Sequence, residues 1–376
     1  MFRPSFAPSP SQRAIGRSLA LDLIAAIGVG VTMALISSLL PTIARRGGLE
    51  PLGLSALAAA PFVANLLGAF AGRVGPRSPR QVAGIRGIGA GALVLLVLTP
   101  NPILMVLVAT LFWLSLSFTG PFQLRMWGTL YPSRLRGRVV GVIGVVCAVA
   151  YTSVRARSAE GTPRFSARES LRALRERPVL ARMALAQGFY GGGFIAAAPL
   201  FALVYVDRLD LSLADVGVIG ILTAASTTIA FPLWGAAADR FGPLTVLRFG
   251  GSVGLCALVA YALAPHVVVL WLAALAAGTA SASIDVGIAA VVSEQTPLAT
   301  RAAAMAGWNA FTGARGIVAA FLMSSLLQLG IVDVTSGLLL CAAATAVGVG
   351  LYARARPGVP VDSRAWELAP ARPTPA

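Results

Sequence analysis

"GAAADRFGP" occupies residues 235–243, and 167 residues earlier "GAFAGRVGP" occupies 68–76, with six of nine positions identical. A second pair lies at nearly the same offset: "YPSRLRGRVVG" (131–141) and "TPLATRAAAMA" (296–306) align at 165, placing Pro132 on Pro297 and Arg136 on Arg301. Two matched segments at one offset mean that the chain carries two parallel copies of a single unit. What the unit is made of follows from composition. Of 376 residues, 57% are hydrophobic and 12% charged, and the mean hydropathy is +0.81. A chain of that kind has too little polar surface for a water-soluble domain and reads as a polytopic all-α membrane protein.

Apolar runs long enough for a hydrocarbon core of about 30 Å cover residues 18–43, 52–71, 84–99, 102–131, 183–206, 216–238, 249–264, 267–292, 303–329 and 335–353. These predict ten full spans. The repeated GxxxxRxGP segments fall just after the second and sixth of them, so each copy restarts at the same point of its bundle. Gly87 to Gly91 and Gly191-Gly192-Gly193 fit close helix packing in lipid. The polar, Pro-rich N-terminus precedes an apolar run too long for a cleaved signal peptide. Cys147, Cys256 and Cys341 each sit inside an apolar run, which argues against a disulfide framework or a metal cluster.

One run is ambiguous. Val139–Val154 is uncharged for sixteen residues between Arg138 and Arg155, reaching only about 24 Å as a helix. Every basic residue of the chain is Arg, and their distribution decides the question. If the stretch does not cross, 25 arginines fall on the N-terminal side and only Arg45, Arg46 and Arg208 on the other. If it crosses, the split inverts to 11 against 17. Because arginine accumulates on the cytoplasmic face, the stretch reads as a re-entrant or interfacial helix, the remnant of a fifth and sixth helix fused together. The organisation is then a cytoplasmic tail (1–17), an N-terminal bundle (18–154), a basic linker (155–182), a six-helix bundle (183–353) and a cytoplasmic tail (354–376). In the linker, Ser166 and Glu169 have capping-box spacing and Leu171 and Leu174 line one side of a short basic helix. The net charge of +16 is orientation in a plasma membrane rather than a nucleic-acid footprint.

With parallel copies, a basic linker and this loop segment, the chain resembles the major facilitator superfamily. The residues that carry the resemblance are Gly235, Asp239, Arg240 and Gly242, matching the family's Gly-x-x-x-Asp-Arg-x-Gly loop core, with Glu294 and Arg301 just after the fourth helix of the second bundle. The resemblance implies two bundles related by a pseudo-two-fold axis along the membrane normal, and a cytoplasmic latch that these charges form in the outward-open state. In the first copy Gly68, Arg73 and Gly75 of the loop core remain, but Gly72 stands at the Asp position and Thr129 aligns with Glu294. A symmetric latch is therefore not expected. The same charges can also serve merely to cap helices and fix topology.

Charges within the spans are costly, about 2.5–3.5 kcal/mol at a helix centre unless paired or hydrated. Asp285 lies nine residues before Glu294, and Arg315 lies about nine residues into the next helix from Ala306, so both sit ~13 Å deep on consecutive antiparallel helices. They can form a structural ion pair, or serve a substrate or a proton. In the first bundle, Arg125 and the shallower Asp22 form a comparable pair, which resembles a family contact between first and fourth helices; Asp22 can equally snorkel to the interface. Gln187, Tyr190, Asn65, Gln123 and Asn309 are polar candidates for a central cavity, or for satisfying a neighbouring backbone group. Trp271, Trp234 and Trp308 read as interfacial belts, and His266 as a solvated loop residue.

No phosphate loop, metal-ligand spacing or acid-His-Cys cluster occurs, which argues against an enzyme or a cofactor site. No charge ring or filter motif suggests a channel. The reading is a secondary active transporter of a small solute, by alternating access, with efflux of amphipathic compounds as the mildest expectation and protons as the candidate coupling ion. The alternative is a truncated, non-transporting scaffold. The shortened fifth and sixth helices imply a gap that lipid or a second copy of the chain would cover.

Overall fold

The computed structural model describes residues 32–33, 35–68, 78–98, 101–130, 172, 177–296 and 298–355. Val139–Val154, the capping box of the linker, Asp22, Arg73, Gly75 and the matched segments 69–76 and 131–141 lie outside them. So does the gap that a second copy was expected to cover. Among the described residues the chain is helical: α1 (Leu40–Arg46, entered through a π-helical turn, Leu35–Leu39), α2 (Pro51–Gly68), α3 (Pro79–Leu98), α4 (Pro102–Leu130), α5 (Pro178–Leu203, ending in a π turn, Val204–Arg208), α6 (Leu213–Phe241), α7 (Pro243–Leu263), α8 (Val267–Gln295), α9 (Leu298–Gln328) and α10 (Val334–Arg354). Eight helical stretches, in α2 and α4 to α10, are long and apolar enough to cross a membrane. α3 adds a ninth of crossing length, 20 residues.

Proline marks several starts, as expected where the missing N–H would be unpaired anyway. α5 begins at Pro178, five residues before its apolar run, with Pro178 after an extended Arg177. α6 and α7 meet at Gly242, whose φ of 85° suits a residue without Cβ; its N–H bonds the Ala238 carbonyl and Pro243 opens the next helix. At the opposite end, Ser212 and Asp333 open α6 and α10 with capping boxes.

Two bundles result. α2 and α3 pack on α4; α5 to α10 form the second group, with α6 and α7 on α8 and α5 and α7 on α10. The duplication is visible in the backbone, because the two π turns, Leu35–Leu39 and Val204–Arg208, start 169 residues apart, close to the offset of the repeated loop segment. Arginines tie helix ends together by donating to orphan last-turn carbonyls. Arg208 reaches Tyr261 O (2.6 Å) and Ala262 O (2.9 Å) at the end of α7, and Arg248 reaches Tyr352 O (2.9 Å) and Ala355 O (2.7 Å) at the end of α10.

Small residues set the tightest approaches, as expected in lipid. A Cβ on Gly193 would meet the Cys341 carbonyl at 2.4 Å, and one on Gly348 the Tyr190 backbone N at 2.3 Å, so α5 and α10 touch backbone to backbone. Not every predicted glycine packs: Gly192, Gly87 and Gly91 face open space, although Gly89 lies against Ser115.

The bundles meet along α2 and α9, which run antiparallel. From one end the seam passes through Gln328 donating to Glu50 (3.3 Å), Ser55 donating to Ala320 O (2.8 Å) and lying 2.5 Å from Ser324 Oγ, and then Phe62 and Leu66 against Gly316 and Gly313. Alongside this last contact, at Phe62 and Asn65, a cavity begins.

Candidate functional site: a cavity between the bundles

The cavity has a volume of about 340 Å³ and takes its walls from α2, α5, α8 and α9. On α9, Met305, Trp308, Thr312 and Arg315 recur at three- and four-residue spacing, so one helical stripe faces inward. α5 offers Gln187, Gly191 and Phe194, α8 offers Ile284, Asp285 and Ile288, and α2 offers Phe62 and Asn65. Most of the wall is apolar or aromatic, with a few polar groups that converge, the usual make-up of a small-molecule site.

Five of those polar groups are sequence candidates: Gln187, Asn65, Asn309, Asp285 and Arg315. Gln187 is 4% exposed and fully engaged: Tyr352 Oη donates to its Oε1 at 2.5 Å, and Arg315 Nη1 donates to its backbone oxygen. Asn65 is half-buried and Asn309 exposed. Asp285, also exposed, makes no hydrogen bond or ion pair among the described residues.

Arg315 explains why the expected Asp285 pair is not made. Its guanidinium is drawn toward α5 by the Gln187 carbonyl and lies 5.6 Å from the Phe311 ring centroid. Gly191 permits this, since a Cβ there would sit 2.7 Å from Arg315 Nη1. No guanidinium nitrogen comes within 4.0 Å of the Asp285 carboxylate. Both charges share one chamber without neutralising one another.

Tyr190 is not on the wall. It is 1% exposed and packs beside Phe194 and Tyr352 at 6.2 and 6.3 Å, with its hydroxyl unpartnered near Gly254. Trp308, read as interfacial, is 4% exposed and lines the cavity between the bundles, turned away from lipid. Trp234 is engaged, donating to Thr279 O at 2.9 Å and joining α6 to α8, while His266 is exposed. Arg125 and Gln123 lie in α4, but their side chains and any Asp22 contact fall outside the described residues. Arg86, counted as a loop arginine, lies 7% exposed within α3 and donates to Thr119 Oγ1 at 2.9 Å.

The end of the molecule that carries Arg45 is closed. Arg45 grips Asp207 through Nε (3.1 Å to each carboxylate oxygen) and Nη2 (2.8 Å to Oδ2), and Arg46 donates to the Leu211 carbonyl. Both cross from the first bundle to the second. Sequence reasoning missed this clamp, as it missed Thr312, Ser55 and Ser324. A usable signal existed: three arginines kept on a face otherwise depleted of them need a reason.

At the other end the motif charges are bare. Asp239, Arg240 and Glu294 are exposed, with no ion pair among the described residues; Arg240 lies over Phe241, 5.1 Å from its centroid. Gly242 has its positive φ, whereas a Cβ on Gly235 would meet nothing within 4 Å. The Arg301 side chain lies outside the described residues.

Residues 183–376 match the family model for the Major Facilitator Superfamily. A search of curated proteins returns no match. Among solved structures the chain is similar to a mutant of the nucleoside transporter NupG (15% identity, covering 90% of this chain and 99% of that one, TM-score 0.64). It is also similar to the human organic anion transporter MFSD10 (14%, 92% and 100%, 0.59). A bacterial homologue of the human lysosomal transporter Spinster, inward-facing and unoccupied, matches at 12% identity over 97% and 100%, TM-score 0.62. At these identities the likeness is one of fold. The family model covers more than half of the chain, and with the helical architecture it decides membership: the chain is a multi-pass membrane protein that belongs to the Major Facilitator Superfamily, a superfamily of membrane transporters.

Proposed function

We propose that the chain is a secondary active transporter that carries a small solute across the plasma membrane by alternating access, with the cavity between α2, α5, α8 and α9 as its binding site. The observation that carries this reading is the asymmetry of the inter-bundle seam. Hydrogen bonds and packing close it from Glu50 and Gln328 to Leu66 and Gly313, and a charged chamber opens beside Phe62 and Asn65. A rocking of the bundles about that chamber would exchange the closed end.

Arginine distribution supports assigning the Asp239 end, and both termini, to the cytoplasm. The state seen is then inward-facing. In the opposite state Asp239, Arg240, Glu294 and Arg301, set at the Gly235 and Gly242 turn, would approach the first bundle's Arg73 and Gly75 loop and hold that end shut. Export of small amphipathic compounds fits a wall dominated by Trp308, Phe62, Phe194 and aliphatic side chains. Asp285, the single acid on the wall among the described residues, is the group through which protons would couple.

The test is a removable lock. In a background freed of Cys147, Cys256 and Cys341, Ser55→Cys and Ser324→Cys are oxidised across the seam, and efflux of the amphipathic dye rhodamine B from loaded cells is followed. Efflux stops on oxidation and returns with reductant. Undiminished efflux by the cross-linked protein would exclude rocking.

A further inference from the structure

We propose that the cavity selects a small amphoteric solute, one molecule bearing an anionic and a cationic group on an apolar body, with Arg315 and Thr312 receiving the anion and Asp285 the cation. This rests on the transporter reading above and adds to it the charge class of the cargo.

The argument starts from what the two charges do not do. An acid and a base at similar depth in a membrane protein lower their cost by pairing. Asp285 and Arg315 line one chamber yet stay more than 4.0 Å apart. Arg315 spends Nη1 on a backbone carbonyl and its face on Phe311. Its Nε remains buried and without a partner, and so does Thr312 Oγ1, one turn earlier on the same stripe of α9. A guanidinium N–H and a hydroxyl three residues apart on one stripe, both unspent and shielded from solvent, are donors that an oxyanion takes once the side chains turn to meet it.

Asp285 presents the opposite chemistry on α8. An ionised carboxylate only accepts, its wall neighbours Ile284 and Ile288 are aliphatic, and it has no protein partner among the described residues. A protonated amine supplies what it lacks. Trp308 stands on the same wall as an aromatic surface for the rest of the molecule.

Charge balance then discriminates between solutes. A singly charged solute meets one group and leaves the other desolvated and uncompensated, and a neutral one leaves both. An amphoteric solute meets both and adds no net charge to the chamber.

Purified protein in nanodiscs is titrated calorimetrically with matched probes: 4-(aminomethyl)phenylacetate and phenylalanine (both charges), phenethylamine (cation only), 3-phenylpropionate (anion only) and 2-phenylethanol (neutral). Wild type is expected to bind an amphoteric probe at least about tenfold more tightly than either single-charge probe. Asp285→Asn should bring the amphoteric and anion-only affinities together, and Arg315→Gln the amphoteric and cation-only affinities. Each variant must keep the wild-type elution volume and ligand-free Tm; if one fails that check, the other variant and the wild-type ranking decide.

Equal binding of single-charge or neutral probes by wild type, or an unchanged amphoteric preference in a folded variant, overturns the proposal. So does an absence of binding by all five probes. If dye efflux is still stopped by the Ser55–Ser324 lock, that failure belongs to the charge class alone and the transporter reading stands.

Discussion

The two ends of the inter-bundle seam are built from different materials. At the Arg45 end, contacts cross between bundles at every level: a carboxylate grip (Arg45 and Asp207), an amide to acid bond (Gln328 and Glu50), a buried serine pair and glycines under Phe62. At the Asp239 end the described charges sit exposed at helix ends without ion pairs. The closed end is held mainly by packing and buried hydrogen bonds, with a partly exposed salt bridge on top. The other end keeps only groups whose pairing is weak in water and easily made or broken. A transporter needs each end to be closable without being irreversible, and the difference shows which interactions set the balance.

The largest effect is expected where the seam is tightest. A Cβ on Gly316 would fall 2.1 Å from the Phe62 ring, so Gly316→Leu should overpack the closed half by about 1–3 kcal/mol and lower Tm in detergent by several degrees. Adding Phe62→Ala should recover part of the loss. Gly235→Leu, at the bare end, should change Tm by no more than the usual surface scatter of about 0.5 kcal/mol. Equal effects at the two glycines would erase the contrast.

Next comes Ser55→Ala. It removes the hydroxyl that donates to Ala320 O and touches Ser324, and should cost about 1 kcal/mol by thermal unfolding. Asp207→Ala is expected to matter less. The pair has side-chain exposures of 26% and 39%, which puts its worth at about 0.2–1 kcal/mol, declining with salt. The signature is faster labelling of a cysteine on the outer part of α2 at low ionic strength, converging with wild type at high. A salt-independent difference would mean that the clamp acts through packing.

The smallest effect concerns the α10 cap at the closed end. Hydrogen bonds from the Ser336 side chain and backbone hold the Asp333 carboxyl below its usual range. Its folded-state pKa is therefore depressed. The stability it contributes is present above the unfolded carboxyl pKa and is lost as pH falls through the folded one. The Tm difference between wild type and Asp333→Asn should be present at neutral pH and shrink under acid; a difference that grows with acidity would contradict the assigned hydrogen bonds.

Much of the architecture was legible because lipid forces the backbone into helices. The duplication read from Gly235–Pro243 reappears as paired π turns, and the helix ends follow Pro178, Pro243 and Gly242. The cavity was legible in part. Asn65, Gln187, Asp285, Asn309 and Arg315 were found by depth and polarity, which a linear sequence records. Whether Asp285 and Arg315 pair was not legible, because it depends on Gly191 and the Gln187 carbonyl from a helix more than a hundred residues away. Trp308 was misread for a related reason, since an indole suits a membrane interface and a cavity wall equally and only its burial against the cavity separates the two. Thr312 drew no attention, as one hydroxyl among many.

The most direct measurement takes Asn309→Cys, on the cavity wall, in the background with Ser55→Cys and Ser324→Cys already cross-linked. Reaction with a membrane-impermeant maleimide is compared in right-side-out and inside-out vesicles. The account predicts labelling only from the Asp239 face while the cross-link holds, and from both faces once it is reduced. Labelling of the locked protein from the Arg45 face would contradict it.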